Sequence, residues 1–158
     1  MDGFARASLD ICVTNPYYII YHPDKERMNI MNKKDKIVIR AGTLTAEAHL
    51  SDTETARAIG SILPITGTVA LWGDEIYFSI PLELGLAADA RDLVEAGDIG
   101  YWPDGKSFCI FFGKTPISRG NEIRAASKVN VFGRVLGDPA SFKTVVDGQA
   151  ITVSVLDT

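Results

Sequence analysis

Trp72, Glu75 and Tyr77 cluster between positions 72 and 77, and Trp102, Thr115, Ser118 and Arg119 follow further along the chain. Two indoles, a phenol, one carboxylate and one guanidinium are the residue types of an aromatic-walled groove. In such a groove apolar walls supply affinity and a few polar groups fix orientation, which suits a peptide or a small polar ligand. In the alternative, Trp72 and Tyr77 pack beneath a loop or helix and Glu75 is a solvated turn charge. The other reactive residues stand apart. Cys109 has no histidine or basic neighbour in sequence to lower its pKa, so an inert, half-buried thiol is expected. His22 and His49 lack carboxylates or cysteines at metal-ligand spacing, and neither a metal nor a cofactor is expected. Asp89, Asp92 and Glu95, with Arg91 among them, read as a solvated face. Phosphate-cradling glycine loops and nucleophile elbows are absent from the sequence.

Two hairpins must position the aromatic set. The first spans Thr66–Ile80 and turns at Gly73-Asp74, where glycine at the first central position suits a II′ turn. It pairs Trp72 with Glu75, Leu71 with Ile76, Ala70 with Tyr77 and Val69 with Phe78. Val69, Leu71, Ile76, Phe78 and Ile80 then form a buried face, and Trp72, Glu75 and Tyr77 point the other way. The second hairpin, Gly97–Gly113, turns at Pro103-Asp104-Gly105, with Gly105 expected to supply a positive φ. It pairs Trp102 with Ser107, Tyr101 with Phe108, Gly100 with Cys109 and Ile99 with Ile110. Its core face holds Ile99, Tyr101, Phe108, Ile110 and Phe112; the opposite face holds Trp102, Cys109 and Phe111.

The remaining elements frame these hairpins. Residues 1–34 are rich in turn chemistry and are expected to be a poorly ordered extension, in which Tyr17–Tyr21 alone has strand character. Met28 and Met31, just before the first clean strand, are candidate translation starts. Ile37–Arg40 and Leu44–Leu50 read as strands. Ser51 and Glu54 have the form of a capping box for a helix whose apolar face is Ala56, Ile59, Gly60 and Leu63, ended by Pro64. Leu82–Leu86 is a candidate strand, Asp89–Glu95 a helical turn or loop, and Lys114–Arg124 a polar loop. Val129–Leu136 reads as a strand, Asp138 caps a helix starting at Pro139, and Ile151–Val155 closes the chain as a strand.

No βαβ rhythm emerges. The sum is a mainly β domain over residues 35–158, expected as a closed antiparallel barrel of about eight strands with two helices capping its ends, because closure removes exposed edges.

The bulk numbers narrow the function classes. The 158 residues are 46% hydrophobic, enough for one real core. With 16 basic against 20 acidic residues and no basic stripe, nucleic acid is not an expected partner. No apolar run is long enough to span a membrane, and no export signal stands at the N-terminus. Two cysteines make neither a disulfide framework nor a zinc site, so a cytoplasmic location is expected. Oligomeric state is open.

The order of elements, with Val131-Phe132-Gly133-Arg134-Val135 before the last helix and strand, resembles cyclophilins. Cyclophilins carry Val-Phe-Gly-Lys-Val there, and their Gly-Ser-Gln-Phe-Phe-Ile strand is similar to Gly105-Lys106-Ser107-Phe108-Cys109-Ile110. The chain is more similar still to small bacterial and archaeal cyclophilin-like proteins of unassigned function. With these it shares Trp72–Phe78, Gly97–Pro103 and Phe111–Pro116, and the resemblance covers about residues 36–156. It implies a barrel and, for ordinary members, prolyl isomerisation. The isomerases' catalytic arginine has no counterpart in Thr66–Trp72. Their glutamine and second phenylalanine correspond to Ser107 and Cys109, and the tryptophan and histidine of the proline pocket fall near Arg124 and Val129. What the resemblance implies is therefore a scaffold that binds a peptide or small molecule without ordinary isomerase activity. Two alternatives stay open: a divergent isomerase using Arg119 or Arg124, and a structural or oligomer-forming domain.

Overall fold

A computed structural model describes residues 35–156. The expectations for residues 1–34, including a strand at Tyr17–Tyr21, lie outside the described residues.

Alternation dictates the first two strands. β1 (Lys36–Ala41) puts Ile37, Ile39 and Ala41 on the core face and also buries Val38 on the other, and β2 (Leu44–Leu50) buries Ala46, Ala48 and Leu50. The helix α1 (Glu54–Ile62) begins two residues later than the capping-box reading placed it. Its cap is Thr53, whose hydroxyl accepts from the Ala56 amide at 3.1 Å. Ala56 and Ile59 face the core as their spacing requires.

β3 (Ile65–Thr68), β4 (Ala70–Leu71) and β5 (Glu75–Ser79) come from the first hairpin. Ala70 pairs with Tyr77 and Leu71 with Ile76, as expected. Val69 does not pair with Phe78. Its amide donates to the Gln149 carbonyl at 2.8 Å and its carbonyl accepts from the Gly148 amide at 2.9 Å, so the strand divides there.

Next come β6 (Arg91–Val94), β7 (Asp98–Trp102), β8 (Ser107–Phe111), β9 (Ile123–Val135) and β10 (Ala150–Val155). Residues 82–86 carry no strand, and the stretch read as a helical turn or loop contains β6 instead. β9 starts well before Val129, inside what read as the end of a polar loop. The second helix is a 3-10 segment, Pro139–Thr144. Asp138 caps it, accepting from the Ala140 amide at 3.0 Å, and Phe142 is fully buried beneath it.

Every pairing is antiparallel, and the strands run β3-β10-β1-β2-β9-β7-β8-β5-β4, with β6 added against β9. The closed eight-strand barrel expected from the sequence is not what forms. Among the described residues there are ten strands, and no ladder joins β3 to β4 at the ends of the order. The extra strands arise from the division at Val69 and from β6. The two end strands are nevertheless consecutive in the chain with only Val69 between them, so the sheet curls until its first and last strands meet.

That curl encloses the main core, in which Ile99, Tyr101, Phe108, Ile110 and Phe112 lie together with Phe132 and Phe142. A second, smaller core of Val94, Cys109, Phe111, Ala125 and Val129 packs on the opposite face of β8. β8 is consequently buried at all five positions. Among the described residues no helix is long and apolar enough to cross a membrane.

Candidate functional site

The first hairpin sets the site's geometry through its turn. Gly73 has φ +60°, the value the first central position of a II′ turn needs. A Cβ there would also lie 2.8 Å from the Lys114 carbonyl oxygen, so glycine is required for space as well as for conformation. Across the turn the Trp72 amide donates to the Glu75 carbonyl at 2.9 Å, and the Glu75 amide returns a bond at 3.2 Å. Alternation from that point carries Glu75 and Tyr77 to the outer face of β5, where the β5–β8 register places them against Phe111 and Cys109.

The second hairpin delivers Trp102. All four cross-strand pairs expected between Ile99 and Ile110 are present. The connecting turn is a 3-10 segment, Pro103–Gly105, and the positive φ falls on Lys106 (+47°) rather than on Gly105. Gly105 is needed for another reason: a Cβ there would approach the Trp102 ring to 2.5 Å. The indole N–H donates to Ser127 Oγ at 2.6 Å, and Ser127 donates in turn to Asp104 at 3.0 Å. Trp102 is thus fixed from two sides. It meets Tyr77 edge to face, with centroids 6.4 Å apart and planes at 85°.

Trp72, Glu75, Tyr77 and Trp102 line one pocket of about 260 Å³, closed on its other side by Ala125, Ala126 and Val129 of β9. Thr115, Ser118 and Arg119 do not line it. Thr115 donates to the Arg124 carbonyl, and Ser118 Oγ accepts from the Thr115 and Arg124 amides, both at 3.0 Å. These two residues tie the preceding loop to the start of β9. Arg119 is exposed, with its amide 3.3 Å from Glu122. Arg124 is also elsewhere, its guanidinium bonded to Glu122 at 2.8 Å and Asp92 at 2.7 Å. The bond from Arg124 holds Glu122 below the usual carboxylate range.

The pocket's electrostatics centre on Glu75. It is 6% exposed, not the solvated turn charge of the alternative reading, and its Oε1 has no hydrogen-bond partner. Burial raises its pKa from 4.5 to about 7, opposed in part by a hydrogen bond from the Cys109 thiol. Cys109 is fully buried rather than half-buried. Burial first, and then the neighbouring Glu75, push its thiol pKa up, which removes it as a nucleophile near neutrality.

The pocket wall on β9 is what sequence reasoning missed. Ala125-Ala126 has little strand propensity, and it falls between the segment read as a loop, Lys114–Arg124, and the strand read from Val129. The small side chains are what leave the pocket open. A larger cavity of about 640 Å³ lies between the start of α1 and residues 84–89. Its buried Asn130 is already bonded to the Ala87 amide, the Gly85 carbonyl and the Thr55 hydroxyl. Among the described residues no group of three His, Cys, Asp or Glu side chains is placed to hold a metal ion.

Comparison with known proteins follows the same outline as the fold. A family model described as cyclophilin-like matches residues 35–154. The solution structure of a hypothetical protein from Archaeoglobus fulgidus is similar at 40% identity, with a TM-score of 0.67. That match covers 79% of this chain and 97% of the archaeal one. No curated protein matches the chain.

Proposed function

The chain belongs to the cyclophilin-like family, and from that premise we propose that it is a binding module, holding a peptide or small molecule in the pocket between Trp72, Tyr77 and Trp102 without ordinary prolyl isomerisation. The observation that carries this reading is Glu75: a buried carboxylate with an unbonded oxygen, at the edge of an aromatic-walled pocket. An unpartnered buried carboxylate costs stability, and such groups concentrate where a ligand completes them.

The absence of a guanidinium from the pocket lining supports the non-isomerase part. Isomerisation faces a barrier of roughly 20 kcal/mol and is lowered by polar donors held against the prolyl amide. Arg124 is engaged by two carboxylates and Arg119 stands in an exposed loop, so neither offers that donor. A protease-coupled proline-peptide assay is expected to give the buffer rate; a rate above buffer that vanishes in Arg119→Ala or Arg124→Ala restores the isomerase alternative.

Binding has a built-in reporter, since the chain's 2 tryptophans, Trp72 and Trp102, both line the pocket. Titration with proline-containing peptides and with a metabolite pool is expected to change tryptophan emission saturably. Ala126→Phe, at an exposed strand position on the pocket wall, is expected to abolish the change while leaving the fold intact. A full set of titrations without any saturable change removes the binding reading.

A further inference from the structure

We propose that the pocket's ligand presents an organic ammonium group, seated against Glu75 with its carbon substituents on the aromatic walls. This rests on the reading of the pocket as a binding site, and it adds the chemistry of what is bound.

Three observations converge on a cation. The first is the orphaned Oε1 of Glu75, a buried acceptor that has no hydrogen-bond partner among the described residues. A ligand that leaves it unbonded forgoes the interaction, whereas an ammonium N–H or a quaternary nitrogen satisfies its charge. The second is the shape of the aromatic wall. Tyr77 and Trp102 stand at 85° to one another and form a right-angled corner, with Trp72 as a further wall. Aromatic surfaces arranged around a cation attract it through their quadrupoles, more strongly where water is excluded. The third is what the lining lacks: it holds no lysine, arginine or histidine. An anion would therefore meet like charge with no compensation.

The alternatives fit less well. Calcium and magnesium take six or more oxygen ligands, and here there is a single carboxylate; among the described residues no group of three His, Cys, Asp or Glu side chains is placed to hold other metal ions. A volume of about 260 Å³ lies just below the roughly 300–1,000 Å³ of drug-sized sites, so the seat is sized for a head group. Trp102 is already anchored through Ser127 and Asp104, so one wall of the seat is positioned before any ligand arrives.

The charge on Glu75 makes binding sensitive to pH. The groups facing it are the Cys109 thiol from β8 and the Tyr77 phenol from its own strand. β7 contributes Trp102, and β9 contributes Ala125, Ala126 and Val129, which carry no ionisable side chain. Near pH 7 a free Glu75 is partly protonated, so an arriving cation displaces a proton. Affinity is expected to rise as pH rises from 6 to 8, steeply below 7 and then levelling.

The test uses the full chain and its tryptophan emission. The probes are tetramethylammonium chloride, N-acetyl-lysine amide and the neutral isostere neopentyl alcohol, with sodium chloride matching ionic strength. An ammonium probe is expected to bind saturably and at least tenfold more tightly than the alcohol, and the tighter of the two ammonium probes distinguishes a quaternary head group from the primary ammonium of a lysine side chain. Glu75→Gln is expected to weaken ammonium binding at least tenfold and to leave alcohol binding unchanged. Calorimetry at pH 6.5 in buffers of different ionisation enthalpy is expected to show proton release. Equal affinity for alcohol and ammonium, or an unchanged affinity in Glu75→Gln, overturns the ammonium assignment and leaves the binding reading standing. Absence of any response to the ammonium probes also overturns it, and the peptide and metabolite titrations then decide the binding reading separately.

Discussion

Glu75 stores a measurable penalty in the folded state. Its carboxyl titrates near 7 instead of 4.5, so between those values the folded chain holds a proton that the unfolded chain has lost. Stability must therefore fall as pH rises through this window, the reverse of a salt-bridged carboxylate. Glu75→Gln removes the titration. Relative to that variant, the native chain is expected to lose on the order of 2–3 kcal/mol between pH 4.5 and pH 8. Urea denaturation of both proteins at the two pH values measures it, and parallel pH dependences would show that Glu75 is not the group responsible. The facing of Glu75 was legible in the sequence, because a two-residue turn and strict alternation leave no choice of side. Its burial was not, because burial depends on β6 and the first half of β9. Those cover the outer face with a charged stretch and an Ala-Ala-Ser run that carry no strand signal.

At the scale of elements, turns proved the most readable features and connections the least. The Pro103–Gly105 turn fixes a register, and all four pairs that follow from it are present, although the positive φ sits one residue later than expected. The cap of α1 was misplaced because Ser51 and Thr53 are both competent caps, and tertiary context selects the second. Residues 82–90 were unreadable for a different reason. They are held by side chains remote in sequence, chiefly Asn130 of β9, which bonds both Gly85 and Ala87. Tyr101 adds a bond from its hydroxyl to the Leu82 carbonyl at 2.7 Å. Asn130→Ala is expected to cost about 1–3 kcal/mol, since it removes bonds to the buried Thr55 hydroxyl and to the backbone at Gly85 and Ala87. Hydrogen exchange at Ala87 is expected to accelerate well beyond the change at β1 or β10. A uniform acceleration would mean that Asn130 supports the whole sheet rather than this segment.

At the scale of the molecule, the strand content and the enclosed aromatic core were legible, and the manner of closure was not. Eight strands in a closed ring is the simplest way to leave no edge, but sequence periodicity cannot show where a strand changes partners. At Val69 it does so within one residue: Ala70 pairs with β5, whereas Thr68 pairs with Ala150 of β10. Val69 itself is buried and bonded to the segment before β10.

The two strands that Val69 joins are also the two ends of the sheet, where a second copy of the chain would pair. The strands at the two ends of the sheet, β3 and β4, have four and two residues, and a covalent tether holds each beside the other. Short edges are poor templates for a neighbouring chain, and tethered ones are poorer still. Inserting a flexible Gly-Ser segment after Val69 would release both at once, with Val69 the nearest core residue. Light scattering is expected to show such a variant associating with itself at concentrations where the native chain does not. If the variant matches the native chain, strand length alone suffices to protect the edges. If the variant does associate, resistance to aggregation resides in the hinge between two strands, where a closed barrel would have kept it in a complete ring of hydrogen bonds.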